Sequence, residues 1–187
     1  ISACLVGSEM CIRDRYTLNK NVSPYQLLLS LNHGKTTQAS ITFIEGHTFY
    51  QLQAKIKQND ALKQTLVNVP EAEIMKSLGS PYAVAEGLFF PDTFYFNRNT
   101  SDATILQRSY LSMQNKLAKA WAKRDANLPY KNSYQALIMA SIVEKETGKA
   151  SERAMIAGVF INRLGIGMRL QTDPTVIYGM GRHYDGN

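Results

Sequence analysis

The stretch SYQALIMASIVEKETG, residues 133–148, decides how the C-terminal half of this chain folds and where its chemistry lies. Its apolar residues recur at helical spacing, and a glycine follows at the position where a helix commonly ends in a left-handed residue. The pattern predicts a helix over Ser133–Thr147, closed by Gly148. Glu144 and Glu146 lie in its last turn, where the negative end of the helix dipole disfavours carboxylates. Helix stability alone therefore does not explain both glutamates.

On a helical wheel the two glutamates face different sides of this helix. Ile138 and Ile142 mark the centre of the apolar face, and Glu146 projects between Ile142 and Met139. Glu144 projects toward the more polar side and is predicted to be a surface residue. We therefore expect the Glu146 carboxyl to lie partly within an apolar wall. Loss of water there would raise its pKa, which suits a general acid acting on a glycosidic oxygen.

Hydrolytic glycosidases usually need a second carboxylate about 5 to 9 Å from the first. The candidates are Glu152 and Asp173, but Asp173 precedes Pro174 and is explained as a helix N-cap. A mechanism with one carboxyl is therefore considered, in which a hydroxyl of the substrate is the nucleophile and the product is an internal anhydro ring. The structural alternative is that Glu146 forms an ion pair with an arginine; the candidates are Arg153, Arg163 and Arg169.

Composition excludes several other classes of function. The chain has 187 residues and a net charge of +6, with basic residues scattered rather than grouped. No basic stripe interleaved with aromatic residues supports nucleic-acid binding. The three histidines are far apart and no dinucleotide or phosphate loop is present, so neither a metal nor a cofactor is expected. No run of about 18 apolar residues predicts a membrane-spanning helix.

The first 15 residues, ISACLVGSEMCIRDR, resemble a translated sequencing adapter, so we expect them to be a non-native leader. Both cysteines fall in this stretch, and the remainder can form neither a disulfide framework nor a thiolate metal site. The C-terminal GRHYDGN stops without a closing element. We therefore expect the chain to be a fragment, open at both ends.

Two strand–turn–helix units precede residue 60. SPYQLLLSL at 23–31 matches TFYQLQAKI at 48–56, and short strands are predicted before them at Tyr16–Leu18 and Ile41–Ile44. Ser23 and Thr48 are predicted to cap the two helices. Such units suit a small α+β binding module, although two ordinary amphipathic helices can match by coincidence.

The remainder of the chain is predicted to be mostly helical. An aromatic stretch over residues 89–96 forms either core or a groove. A long helix is predicted over residues 101–124, capped by Ser101 or Asp102, and a further helix over Ser151–Leu164. The inner stripe of the long helix is expected to consist of Ile105, Leu106, Ser109, Met113 and Leu117. The predicted fold class is therefore α+β.

Three segments resemble the endolytic murein transglycosylases, the YceG-like family: ASIVEKET at 140–147, SERAMIAGVFINRL at 151–164 and GMRLQTDPTVIYGMG at 167–181. The resemblance implies cleavage of nascent peptidoglycan strands between N-acetylmuramic acid and N-acetylglucosamine, without hydrolysis, leaving 1,6-anhydro ends. It identifies Glu146 as the catalytic residue, first acid and then base. It also suggests Asn162, Gln171 and Asp173 as glycan contacts. The alternative is a non-catalytic glycan-binding or scaffold domain.

The resemblance also implies an organisation. Residues 16–80 would be a partial LysM-like module, and residues 81–187 a catalytic domain truncated at its C-terminus. Family members carry a single membrane anchor before these domains, in the bacterial inner membrane, with the catalytic domain facing the periplasm. The implied partners are peptidoglycan strands and peptidoglycan synthases.

Overall fold

A computed structural model describes residues 23–32 and 38–181 of the chain. Within these residues the elements are, in order, α1 (Pro24–Asn32), β1 (Ala39–Thr42), α2 (Phe49–Lys57), β2 (Leu62–Lys63), α3 (Glu71–Ser77), β3 (Thr93–Phe96), β4 (Thr100–Ser101), α4 (Asp102–Ala122), α5 (Ser133–Glu146), α6 (Arg153–Gly165) and α7 (Asp173–Met180). Helices combined with two small sheets confirm the predicted α+β class. The first 15 residues and the strand expected at Tyr16–Leu18 lie outside the described residues.

Reciprocal hydrogen bonds begin the first two helices, at the caps predicted from the sequence. The Gln26 N–H donates to Ser23 Oγ at 3.2 Å, and the Ser23 N–H donates to Gln26 Oε1 at 3.1 Å. Thr48 and Gln51 form the same pair of bonds at the start of α2, at 3.3 and 2.9 Å. Each pair satisfies backbone donors that have no partner within the helix, so these caps fix where α1 and α2 start.

The larger of the two sheets pairs β1 antiparallel with β3, with Ile41 opposite Phe94. β1 starts two residues before the predicted strand Ile41–Ile44. Pairing continues one residue past β1, because the Phe43 N–H donates to the Asp92 carbonyl at 3.0 Å. The chain then turns through Gly46 at a φ of +70°, a conformation that favours glycine.

The main hydrophobic core lies between the β1–β3 sheet, α2, α3 and the first half of α4. The predicted aromatic stretch contributes chiefly to this core, although Tyr95 points to solvent. Core residues come from both sides of the domain boundary expected between residues 80 and 81. They are Ile41, Phe43, Phe49, Leu52, Ile56, Ala61, Leu62, Ile74, Met75, Ala85, Leu88, Phe89, Phe94, Phe96, Ile105, Leu106 and Tyr110.

A buried carboxylate fixes the start of α4 against the loop after β2. Asp102 is only 1% exposed, and its oxygens accept the backbone N–H groups of Thr65 and Leu66 at 3.0 Å. They also accept the Thr65 hydroxyl and the Ala103 N–H. Several donors therefore compensate for the loss of water around this charge.

The long helix α4 agrees with its prediction at both ends to within two residues, and Ser101 is its cap, accepting the Thr104 N–H at 3.2 Å. The predicted inner stripe is only partly buried. Ile105, Leu106 and Ser109 are buried, whereas Met113 and Leu117 are partly exposed, because α4 extends past the main core.

A second, smaller core joins α5 to α6. Met139, Ile142, Val143 and Phe160 are buried together, with partly buried residues around them. The start of α5 instead packs Tyr134 and Leu137 against the main core. α5 therefore connects the two cores, and its last turn lies at the edge of the smaller one.

The helix ends near this second core differ from the predictions. Thr147 ends α5 in an extended conformation while its N–H donates to the Val143 carbonyl at 3.2 Å. Gly148 does not adopt a positive φ, so its predicted role as a left-handed cap is wrong. Asp173 is the first residue of α7 rather than its cap, which is Thr172. α6 begins at Arg153, two residues after the predicted Ser151.

None of the helices in residues 23–32 and 38–181 combines the length and the apolar character that crossing a membrane requires.

Candidate functional site

Glu146 is the last residue of α5, and its side chain is exposed to solvent. One oxygen of its carboxyl, Oε1, accepts a hydrogen bond from the hydroxyl of Thr172. Thr172 itself is buried, at 3% exposure, at the start of α7. The site therefore joins a solvent-facing carboxyl at the end of one helix to a fixed hydroxyl at the start of another, 26 residues later in the chain.

The apolar wall predicted around Glu146 is not observed. Met139 and Ile142 are buried as expected, but Ile138 is 46% exposed, so the apolar face is rotated from the predicted centre. Glu146 follows the buried side of α5 in direction, yet its own side chain is exposed. The helical wheel predicts the side of α5 on which Glu146 lies, but its prediction that Glu146 is partly buried is wrong. Periodicity gives the direction of a side chain and does not show what packs against it.

Glu144, predicted to be a surface residue, carries the ion pair instead. Its Oε2 lies 2.9 Å from Nη2 of Arg153, and its side chain is 30% exposed. Glu144 also lies near the turn before α2, because a Cβ built on Gly46 would be 3.8 Å from Glu144 Cγ. Of the arginines considered as partners for Glu146, Arg153 therefore binds the other glutamate. Arg163 donates through Nη1 to the Leu170 carbonyl.

The two candidates for a second carboxylate differ in their surroundings. Glu152 accepts the Thr147 hydroxyl at 2.9 Å and forms an ion pair with Lys149 at 3.1 Å, so it belongs to the turn between α5 and α6. Asp173 is exposed and follows Thr172 directly. Its position next to the residue that binds Glu146 places it in the same region of the surface.

The residues expected to contact glycan are only partly brought together. Gln171 and Asp173 flank Thr172 and are both exposed, so they lie in the same region of the surface as the contact between Thr172 and Glu146. Gln171 adopts a φ of +49°, which is unusual for a residue other than glycine. Asn162 is exposed on α6. Thr172, the residue between the two selected ones, was missed, and the only sequence signal for it was its place before Asp173-Pro174 in a cap position.

A second cluster of ionisable groups was not found from the sequence. Glu86 accepts the Phe49 N–H at 3.1 and 3.3 Å through its two oxygens. Desolvation raises the pKa of Glu86; the Phe49 N–H lowers it, the charge of Glu71 raises it and Lys145 lowers it. The Glu71 carboxyl is held nearby by the Ala85 N–H at 2.5 Å. This cluster links the starts of α2 and α3 to the last turn of α5.

The part of the chain that the structure describes contains no cluster of side chains suited to binding a metal ion. No three histidine, cysteine, aspartate or glutamate side chains gather there as potential ligands. The polar contact that the structure gives the carboxyl at the end of α5 is the hydrogen bond from the Thr172 hydroxyl. A carboxyl that faces solvent and is held by a neutral hydroxyl is able to accept or to donate a proton.

Comparison with known proteins places the chain in a family. The model of the YceG-like family matches residues 11–187. A Streptococcus pneumoniae protein named endolytic murein transglycosylase is 28% identical over 197 residues, which cover 89% of this chain and 35% of the relative. A Bacillus subtilis protein of the same name is 28% identical over 187 residues, which cover 91% of this chain and 52% of that protein.

A solved structure agrees with these matches. The crystal structure of a yceG-like protein from Listeria monocytogenes is similar to this chain with a TM-score of 0.58 and 28% sequence identity. The match covers 87% of this chain and 59% of the Listeria chain. The chain therefore spans about a third to a half of the length of the curated relatives, 35% and 52% in the two cases.

Proposed function

The chain belongs to the YceG-like family, and from that premise we propose that it is part of an endolytic murein transglycosylase. Its substrate is the glycan strand of peptidoglycan, cleaved within the strand between N-acetylmuramic acid and N-acetylglucosamine. The names of the relatives from S. pneumoniae and B. subtilis support this substrate class. The reaction is a lyase reaction in which no water is consumed.

One observation carries the assignment of the catalytic group to Glu146. Within residues 23–32 and 38–181, Glu144 and Glu152 both form salt bridges, and none is formed by Glu146. Its carboxyl is exposed and contacts the neutral hydroxyl of Thr172. A carboxylate paired with a cation resists protonation, whereas one beside a hydroxyl remains free to exchange a proton with substrate.

The proposed mechanism uses this single carboxyl twice. Glu146 donates its proton to the glycosidic oxygen as the bond from that oxygen to C1 of the muramic acid breaks. The hydroxyl at C6 of the same sugar then forms a bond to C1, and the Glu146 carboxylate removes the proton of that hydroxyl. The products are two shorter strands: one carries a free hydroxyl where the glycosidic oxygen was, and the other carries a 1,6-anhydro end. Glu146 is again protonated. No atom enters from water.

The surroundings of Glu146 favour this route over hydrolysis. A hydrolytic enzyme needs a second carboxylate at about 5 to 9 Å to activate water or to attack the sugar. Glu152 is already bound to Thr147 and Lys149, which leaves it poorly placed for that role. Asp173 begins α7, where a carboxylate is favoured by the helix dipole, and we assign it with Gln171 and Asn162 to contacts with the glycan.

The proposal extends to the organisation of the protein. Residues 16–80 are assigned to a LysM-like module and residues 81–187 to the catalytic domain. The capped βα arrangement of β1 and α2 supports the module assignment. The family resemblance also implies an anchor in the inner membrane, with the site on the periplasmic side. Its implied partners are peptidoglycan synthases.

Product analysis tests the proposal. The purified protein is incubated with uncross-linked peptidoglycan strands, and the fragments are identified by chromatography and mass spectrometry. Anhydro ends, lighter by one water than hydrolysis products, are expected with the natural protein. Glu146→Gln, which is nearly isosteric, should reduce their formation by at least about a hundred-fold, the range that general acid–base catalysis contributes.

Other outcomes of the same experiment contradict the proposal in distinct ways. Reducing ends that carry a full water would show hydrolysis and a second catalytic carboxylate. Binding of strands without any cleavage would favour a non-catalytic glycan-binding or scaffold domain.

A further inference from the structure

The position of the Glu146 carboxyl needs an explanation, because α5 itself does little to fix it. A glutamate side chain has three rotatable bonds and loses rotamer entropy whenever it is held in one place. The last turn of a helix also carries a partial negative charge that repels a carboxylate. Since the side chain is exposed, packing does not restrain it either. Its fixed contact is with Thr172.

The Thr172 hydroxyl does not form the helix-capping hydrogen bond that is usual at its position. Thr172 is the N-cap residue of α7, and such threonines usually accept a backbone N–H from the first turn. Here no side-chain cap bond forms at α7, and the hydroxyl donates to Glu146 Oε1 instead. A stabilising contact within α7 is therefore replaced by one between α7 and α5.

Thr172 is itself held firmly by its neighbours. Its carbonyl accepts the Thr175 N–H at 3.2 Å and the Thr175 hydroxyl at 2.7 Å. Before it, Gln171 takes a left-handed conformation, and Arg163 of α6 binds the carbonyl of Leu170. With 3% of its surface exposed, Thr172 has little freedom to move. The Thr172 hydroxyl therefore has a defined position, and its hydrogen bond can hold the Glu146 carboxyl in one place.

We infer that Thr172 is the positioning residue for Glu146 in the transglycosylase reaction, holding the carboxyl in both of its protonation states. This inference rests on the proposed function. A hydroxyl has one donor and two acceptor lone pairs, so it can donate to the ionised carboxylate and accept from the protonated acid. A lysine or arginine can only donate and would stabilise the ionised form alone. Arg153, the nearby cation on α6, is paired with Glu144.

Replacement of Thr172 tests the role. Thr172→Val keeps the branched shape and removes the hydroxyl, while Thr172→Ser keeps the hydroxyl. We expect Thr172→Val to lower kcat by roughly ten- to a hundred-fold, the range that follows from misplacing a reacting group by about 1 Å, with KM nearly unchanged. Thr172→Ser should restore most of kcat. Product formation from uncross-linked strands gives the rates, and thermal unfolding is followed for each variant.

Ser109→Ala is the matched control for loss of a buried hydroxyl. Ser109 is fully buried in the main core and donates to the Phe90 carbonyl at 3.0 Å, without contact to Glu146. It should lower stability and leave kcat within about two-fold, since its core is remote from the reacting groups.

Each result has a definite reading. A natural protein that yields no anhydro ends would contradict the proposed function itself. An active natural protein whose Thr172→Val variant keeps full kcat would overturn the positioning role alone. Equal losses in Thr172→Val and Thr172→Ser would also overturn it, because the hydroxyl would then not be the group that matters.

Discussion

Glu144 of α5 and Arg153 of α6 form an ion pair, with 2.9 Å between Oε2 and Nη2. This contact separates the roles of two glutamates that lie two positions apart in the sequence. Glu144 holds the start of α6 against α5, and Glu146 at the helix end contacts Thr172 instead. Arg153 therefore pairs with Glu144 and not with Glu146.

Glu144→Gln should therefore preserve most of the proposed activity. The ion pair is partly exposed, and such pairs contribute about 1 kcal/mol or less, so the free energy of unfolding should fall by no more than that. Urea unfolding measures this loss, and rates on glycan strands are compared with those of Glu146→Gln. Similar inactivation by both substitutions would contradict the assignment of separate roles.

Glu86 should make stability depend on pH. Desolvation raises its pKa in the folded protein above the ordinary value of 4.5, with Glu71 adding to the rise and the Phe49 N–H and Lys145 opposing it. The folded state then binds this proton more tightly than the unfolded chain. The contribution of Glu86 to the unfolding free energy should be largest below about pH 4.5, and it should fall as the pH rises from there through the raised folded-state pKa.

Glu86→Gln isolates this contribution. The amide keeps an acceptor for the Phe49 N–H and removes the charge, so the fall in stability with rising pH should become smaller than in the natural protein. Urea unfolding at several pH values measures both slopes. Glu73→Gln, on the exposed side of α3, makes the same chemical change and should leave the slope nearly as it is. An unchanged slope in Glu86→Gln would contradict the prediction.

Asp102→Ala should destabilise the main core strongly. It leaves the Thr65 and Leu66 N–H groups without their carboxylate acceptor in a buried setting, and we expect a loss of about 3 kcal/mol or more. Chemical denaturation measures it. Asp125→Ala, which removes an exposed acceptor for the Asn127 N–H, should cost less than about 1 kcal/mol. Comparable losses in the two variants would argue against Asp102 as the anchor of α4.

Two glycines near α5 should respond differently to alanine. Gly46 has a φ of +70°, so Gly46→Ala should cost about 1 kcal/mol through backbone strain, although its Cβ would meet Lys145 Nζ only at 3.7 Å. Gly148 has no positive φ and no neighbouring atom within 4 Å of a built Cβ. Gly148→Ala should be neutral or stabilise by up to about 1 kcal/mol. Thermal unfolding decides, and strong destabilisation by Gly148→Ala would show a constraint that the backbone does not reveal.

Local signals were sufficient for much of the fold. Ser23, Thr48 and Ser101 begin helices because their hydroxyls satisfy backbone donors three residues on, an interaction that depends only on neighbouring residues. Apolar spacing placed α4 and α5 to within about two residues. The end of α5 was misjudged, because the chain leaves it through an extended Thr147 bound to Glu152 rather than through a left-handed glycine.

The sequence by itself determined the α+β class, the helix that carries Glu146 and the side of that helix on which Met139, Ile142 and Glu146 lie, since each depends on the period of the residues within one segment. Only the tertiary structure decided that Glu146 is exposed, that Arg153 pairs with Glu144 and that Thr172 holds the Glu146 carboxyl. The last contact spans 26 residues and depends on the path of α6 and the loop that Arg163 fixes. Periodicity sets the direction of a side chain about its own helix, whereas packing between helices sets which groups meet it in space.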